Sequence, residues 1–80
     1  MVRYALRDLE TFKKIMETPG RGVPHTVRSL AEASGVSRSQ VGRLVAGDLP
    51  DLPVNEAHAV AEALGVAVLV VFMPPVSPTQ

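Results

Sequence analysis

The sequence predicts a mainly helical domain of four helices, with short N-terminal and C-terminal strands placed to pair. Three observations carry this. Apolar residues recur at helical spacing in four segments. Each segment is bounded by capping residues, glycine or proline. The two ends of the chain carry alternating or β-branched apolar stretches of strand length. Eighty residues, 46% hydrophobic and 20% charged, suit one globular core. The domain is expected over residues 1–73, followed by a proline-rich tail, 74–80, expected to be disordered.

Residues 1–6 alternate, with Val2, Tyr4 and Leu6 on one side and Arg3 and Ala5 on the other, the pattern of a half-buried strand. Asp8 is placed to cap a first helix in which Leu9, Phe12, Ile15 and Met16 share a face, opposite Glu10, Lys13, Lys14 and Glu17. Two prolines and two glycines within residues 18–25 exclude a regular element there. Thr26 caps the next helix, Val27–Ser34, which carries Val27, Leu30, Ala31 and Ala33. Gly35 stops it, because a residue just past a helix end often needs a positive φ that glycine adopts without a Cβ clash. Ser37 caps a third helix, Arg38–Ala46, and Gln40 completes a capping-box pattern in which each side chain bonds the other's backbone N–H. Gly47 ends that helix, and residues 48–53, with two prolines, read as a second loop. Val54, Ala57, Val60, Ala61 and Leu64 mark a fourth helix closed by Gly65. The run at 66–73 opens with Val66 and closes with Met73; its eight apolar, β-branched-rich residues, ahead of Pro74 and Pro75, read as a strand.

Composition removes several function classes. The chain has no cysteine, hence no disulfide framework, thiolate nucleophile or cysteine-based zinc site. The apolar run of eight residues is far short of the roughly 20 that span a bilayer, and the first residues hold no signal-peptide core, so a cytoplasmic location is expected. Phosphate-cradling, dinucleotide and nucleophile-elbow motifs are missing, so no enzyme activity and no cofactor are expected. His25 and His58 lie far apart in sequence, and no metal site is expected from them; His58, at the edge of the fourth helix's apolar face, reads as a partly buried structural histidine.

The formal net charge of zero hides an asymmetry. All eight Lys and Arg fall in residues 1–43 beside four acids, a net +4, while the remainder holds four acids and no base, a net −4. Such a dipole can turn one face to a polyanion, although charges also segregate by chance in short chains.

Two short helices joined by a glycine-bearing turn, the second capped by serine, form a helix-turn-helix, whose second helix fits a major groove roughly 12 Å wide. Over residues 27–46 the sequence resembles the Cro and phage-repressor class of helix-turn-helix regulators, also called the xenobiotic-response-element family. The family places a small residue in the first helix, a glycine in the turn and four apolar residues in the seam; here these are Ala31, Gly35, and Leu30, Val36, Val41 and Leu44. Ala-Glu-Ala-Leu-Gly-Val at residues 61–66 resembles the family's following helix, so the likeness covers about residues 26–66. Ser34 departs from it, filling a position that is often apolar. The family usually has five helices; the flanking strands read here imply a small Cro-like variant whose C-terminal β structure dimerises. Gly42 lies inside the second helix, either to admit close backbone approach or as a tolerated defect of about 1 kcal/mol.

The resemblance implies a sequence-specific transcriptional regulator, bacterial or phage-encoded, that inserts helix 38–46 into an operator and blocks polymerase. Ser37, Arg38, Ser39, Gln40, Gly42 and Arg43 would then face the groove. Arg43 is the candidate base reader, since a guanidinium can donate twice to guanine; a phosphate clamp is its plainer role. Arg38 could reach base or phosphate. Gln40 could pair with adenine, but its capping role competes and is the expectation. Thr26, Arg28 and Ser37 sit where helix N-termini favour phosphate. Arg21 has a partial likeness to an AT-hook, which wants arginines on both sides of a glycine, and a plain flexible loop is expected. The partner is double-stranded DNA, and reading two half-sites calls for a homodimer, expected through residues 66–73 and the N-terminal strand unless those strands pair within one chain. Other readings are a protein-interaction module, such as an antitoxin or adaptor, and an excisionase-like architectural protein.

Overall fold

The computed structural model describes residues 2–20 and 22–74; the expected disorder of the tail lies outside them from residue 75 onward, as does the AT-hook reading of Arg21. Among the described residues the elements run β1 (Arg3–Leu6), α1 (Leu9–Glu17), α2 (Val27–Ser34), α3 (Arg38–Ala46), β2 (Asp51–Pro53), α4 (Val54–Leu64), α5 (Val68–Val71) and β3 (Phe72–Met73). The fold is mainly helical, with a three-stranded antiparallel sheet in the order β2-β1-β3.

Local chemistry sets the helix boundaries. Asp8 caps α1 by accepting from the Thr11 N–H at 3.2 Å and the Thr11 hydroxyl at 2.7 Å. The α2 cap is a full reciprocal box: Thr26 Oγ1 accepts from the Ser29 N–H, and Ser29 Oγ accepts from the Thr26 N–H at 2.9 Å. Gly35, at φ 80°, ends α2 in the left-handed conformation expected of it, and its N–H returns to the Ala31 carbonyl.

Each helix contributes to one core. Phe12 and Met16 come from α1, Leu30 and Ala31 from α2, Val41 and Leu44 from α3, and Ala57, Val60, Ala61 and Leu64 from α4, with Val36 from the turn. Leu52, Val71 and Phe72 close it from the sheet side. No polar side chain is buried among the described residues.

Three expectations are corrected. The run at 66–73 is not one strand: Val68–Val71 form a helical turn, a fifth helix, and only Phe72 and Met73 are extended. A strand would turn Val71 and Phe72 to opposite faces, but the turn sends both into the core, at 1% and 0% exposure. Arg7 stabilises the turn, its backbone N–H reaching the Val71 carbonyl and its Nε donating to the Leu69 carbonyl at 3.1 Å. The segment 48–53 is not all loop, since β2 pairs with β1 (Arg3 with Pro53, Tyr4 with Leu52, Ala5 with Asp51) and buries Leu52 completely. His58 is exposed rather than partly buried, its ring 5.7 Å from that of Tyr4.

The terminal strands pair within the chain, Ala5 with Met73 and Leu6 with Phe72. Both outer strands of the sheet are short and flanked by proline, Pro50 and Pro53 at β2 and Pro74 after β3. An ion pair from Arg3 Nε to Asp51 Oδ1, 2.8 Å, ties β1 to β2 at the surface, where such pairs contribute about 0–1 kcal/mol. No helix among the described residues is long and apolar enough to cross a membrane.

The segment between α1 and α2 is pinned to the end of α4 by the Gly20 N–H, which donates to the Leu64 carbonyl at 2.9 Å. A methyl group on Gly20 would collide with the Gly65 carbonyl, backbone that cannot step aside. Gly20→Ala is therefore expected to lower stability by about 1–3 kcal/mol in urea unfolding. The Thr11 hydroxyl, then the Thr11 N–H, hold the Asp8 carboxyl below its ordinary pKa. Its stabilising contribution is thus present above the unfolded value, about 3.9, and lost as pH falls through the lower folded value. Asp8→Ala should melt below wild type at pH 7, with the gap closing in acid.

Candidate nucleic-acid interface

The α2–α3 pair decides which side chains face outward. Leu30, Ala31, Val36, Val41 and Leu44 are all buried where the two helices meet. At about 100° per residue, burying Val41 and Leu44 turns Arg38, Ser39, Gly42 and Arg43 outward within an arc of about 140°. Arg38, Ser39 and Arg43 are exposed, and Gly42 is half-buried.

Among the described residues, the side chains of Arg38, Ser39 and Arg43 have no hydrogen-bond or ion-pair partner. The two ion pairs among the described residues lie elsewhere, one between β1 and β2 and one within α2. Two guanidinium groups are thus presented to solvent on a rigid helix, with their donors uncommitted.

The other candidates divide into two groups. Thr26 is exposed at the start of α2; its oxygen accepts from the Ser29 N–H at 3.1 Å, which leaves its hydroxyl hydrogen available to an outside acceptor. Arg28, two residues on in the first turn of α2, is exposed and only loosely paired with Glu32 at 3.5 Å, a contact that a phosphate can displace. The exposed Ser37 and the half-buried Gln40 are committed to partners within the protein. Ser37 Oγ accepts from the Gln40 N–H at 3.1 Å and donates to Gln40 Oε1 at 3.1 Å, while Gln40 Nε2 donates to Glu56 Oε1 of α4 at 2.9 Å.

This corrects the capping box expected at α3. Ser37 caps as expected, but the Gln40 side chain binds the Ser37 hydroxyl instead of its backbone N–H and reaches across to α4. Glu56 was missed from the sequence. It sits 16 residues from Gln40, and an acid in a helix's first turn is accounted for by the helix dipole alone.

The two histidines stand apart from this surface. His25 Nδ1 lies 3.0 Å from Ser29 Oγ, and the His25 N–H donates to the Met16 carbonyl. Two shallow hollows, of about 500 and 590 Å³, flank α4, and neither is lined by a residue of α3. Compared with known protein families, with curated proteins and with solved structures, the chain finds no match.

Gly42 is not enforced by packing inside the protein. A Cβ there would meet only Val27 Cγ1, at 3.9 Å, an ordinary contact. Gly42→Ala is expected to stabilise the fold by about 1 kcal/mol through helix propensity, as a rise in the urea midpoint with an unchanged denaturant slope.

Proposed function

We propose that this chain is a sequence-specific DNA-binding transcriptional regulator of the repressor or Cro type, which inserts α3 into the major groove of an operator. One observation carries the reading: Arg38 and Arg43 stand exposed, without partners among the described residues, on the outward arc of a helix whose inner face is locked against α2. In a groove, Arg43 reads a guanine through two donors, and Arg38 reaches a base or the adjoining phosphate. Thr26 and Arg28 at the start of α2 contact the backbone and set the register. Ser39, one turn before Arg43, lies on the same arc and supplies a short polar contact.

The proposed working form is a homodimer, with two copies of α3 reading half-sites about 34 Å apart. Since β3 pairs with β1 of its own chain, the surface offered to a second copy is the outer side of residues 66–73 beside β1. There Leu69, Val70 and Met73 are 50%, 45% and 39% exposed. The proposed location is the cytoplasm of a bacterial host, and the proposed activity is occupancy of DNA rather than catalysis.

The test is binding to duplexes selected from a random pool, measured against random DNA. Affinity should fall steeply with salt as phosphate contacts release counterions. Arg43→Ala should cost the selected site about 1–3 kcal/mol and random DNA much less. Equal losses on both would make Arg43 a phosphate clamp. No DNA binding at about 50 mM salt, with tight capture of a protein partner, would replace this reading with that of an interaction module.

A further inference from the structure

The inward network at the start of α3 singles out a residue that touches no DNA in the reading above. Ser37 Oγ has its hydrogen on Gln40 Oε1 and a lone pair on the Gln40 N–H. The Gln40 amide, with its oxygen engaged by Ser37, gives a hydrogen to Glu56. Gln40 is half-buried, so its amide is oriented by protein on both ends and is not a free reader of base edges. The far end of the relay is fixed, because Glu56 lies in the first turn of α4 between Pro53 and the fully buried Ala57.

The geometry points to Glu56 as the positioning residue of the recognition helix. It acts through Gln40 to hold the first turn of α3 at a set rotation on α4, and so sets where Arg38 and Arg43 meet the bases. This rests on the DNA-binding reading. The seam with α2 fixes α3 along the side of Val41 and Leu44. The Glu56–Gln40 bond adds a constraint from a different element, α4, at the flank of that face one turn before Leu44. Bidentate base recognition depends strongly on angle, whereas phosphate attraction does not. A loosened first turn should therefore lose discrimination and retain charge-driven binding. Glu56 also places a carboxylate next to a surface meant for a polyanion, so its removal should not weaken binding to random DNA.

The experiment compares wild type, Glu56→Ala, Glu56→Gln and Gln40→Ala on the duplex that wild type selects and on random duplex, with thermal melts of each protein. Glu56→Ala should lower the ratio of selected to random affinity about tenfold, the size of one lost base contact, with random-duplex affinity unchanged or higher. Glu56→Gln, whose amide oxygen still accepts from Gln40, should keep the ratio within about threefold of wild type. Gln40→Ala should match Glu56→Ala, and combining the two should add little further loss. In wild type, the two proton resonances of the Gln40 side-chain NH₂ should be spread and slow to exchange, falling back to the separation and exchange of a free glutamine amide in Glu56→Ala while the melt stays cooperative. An unchanged ratio in a folded Glu56→Ala would overturn the inference and leave the DNA reading standing, as would equal losses in Glu56→Ala and Glu56→Gln. A wild type that selects no sequence would remove the DNA reading, and this inference with it.

Discussion

The constraint from which most of this structure follows is the packing of α3 against α2, with Leu30, Ala31, Val36, Val41 and Leu44 all buried. A slip of one residue along α3 would rotate that helix by about 100°, putting Gln40 and Arg43 in the places of Val41 and Leu44 in one direction, and Gly42 and Val45, which fill the seam less well, in the other. Burying an unpaired guanidinium costs several kcal/mol, comparable to much of a small domain's stability. The same packing that stabilises the pair therefore also decides that Arg38 and Arg43 face outward. Stability and presentation are one interaction seen from two sides.

The sheet does a different job. It is too small to form a layer of its own, yet its central strand, β1, gathers the segments on either side of α4. Through β2 it places the fully buried Leu52 over the core, and through β3 it places Phe72 there. Helix α4 is thereby held between α2 on one side and the sheet with α5 on the other, which keeps Glu56 still enough to grip Gln40. The two ends of the chain thus bear indirectly on the exposed face of α3.

Where a boundary was set by neighbouring residues, the sequence showed it. Asp8, Thr26 and Ser37 cap their helices, Gly35 and Gly47 end theirs, and the apolar spacing of α2, α3 and α4 named the buried side chains, while Ala33 of α2, named with them, is exposed and Val27 and Val54 are half-buried. Failures came where distant partners decide. Leu52 looked like a loop residue because nothing near it in sequence reveals that β1 will pair with it. The valine-rich run before Pro74 had strand propensity throughout, but Arg7 supplies hydrogen bonds to a helical turn instead. Of the candidate interface, the exposure of Arg38, Ser39 and Arg43 followed from periodicity. The spacing of Ser37 and Gln40 showed that the two would engage each other, but the bond from Gln40 to a carboxylate of another helix left no local trace.

The proline-flanked margins of the sheet carry a last consequence. Main-chain donors and acceptors at an open margin can template further strands, the route by which small domains turn into fibres. Here each margin is only two or three residues long and next to an imide nitrogen with no hydrogen to give. The oily patch of Leu69, Val70 and Met73 is therefore left to associate through side chains rather than main-chain ladders. A cell could accumulate this protein without seeding insoluble aggregates from its sheet.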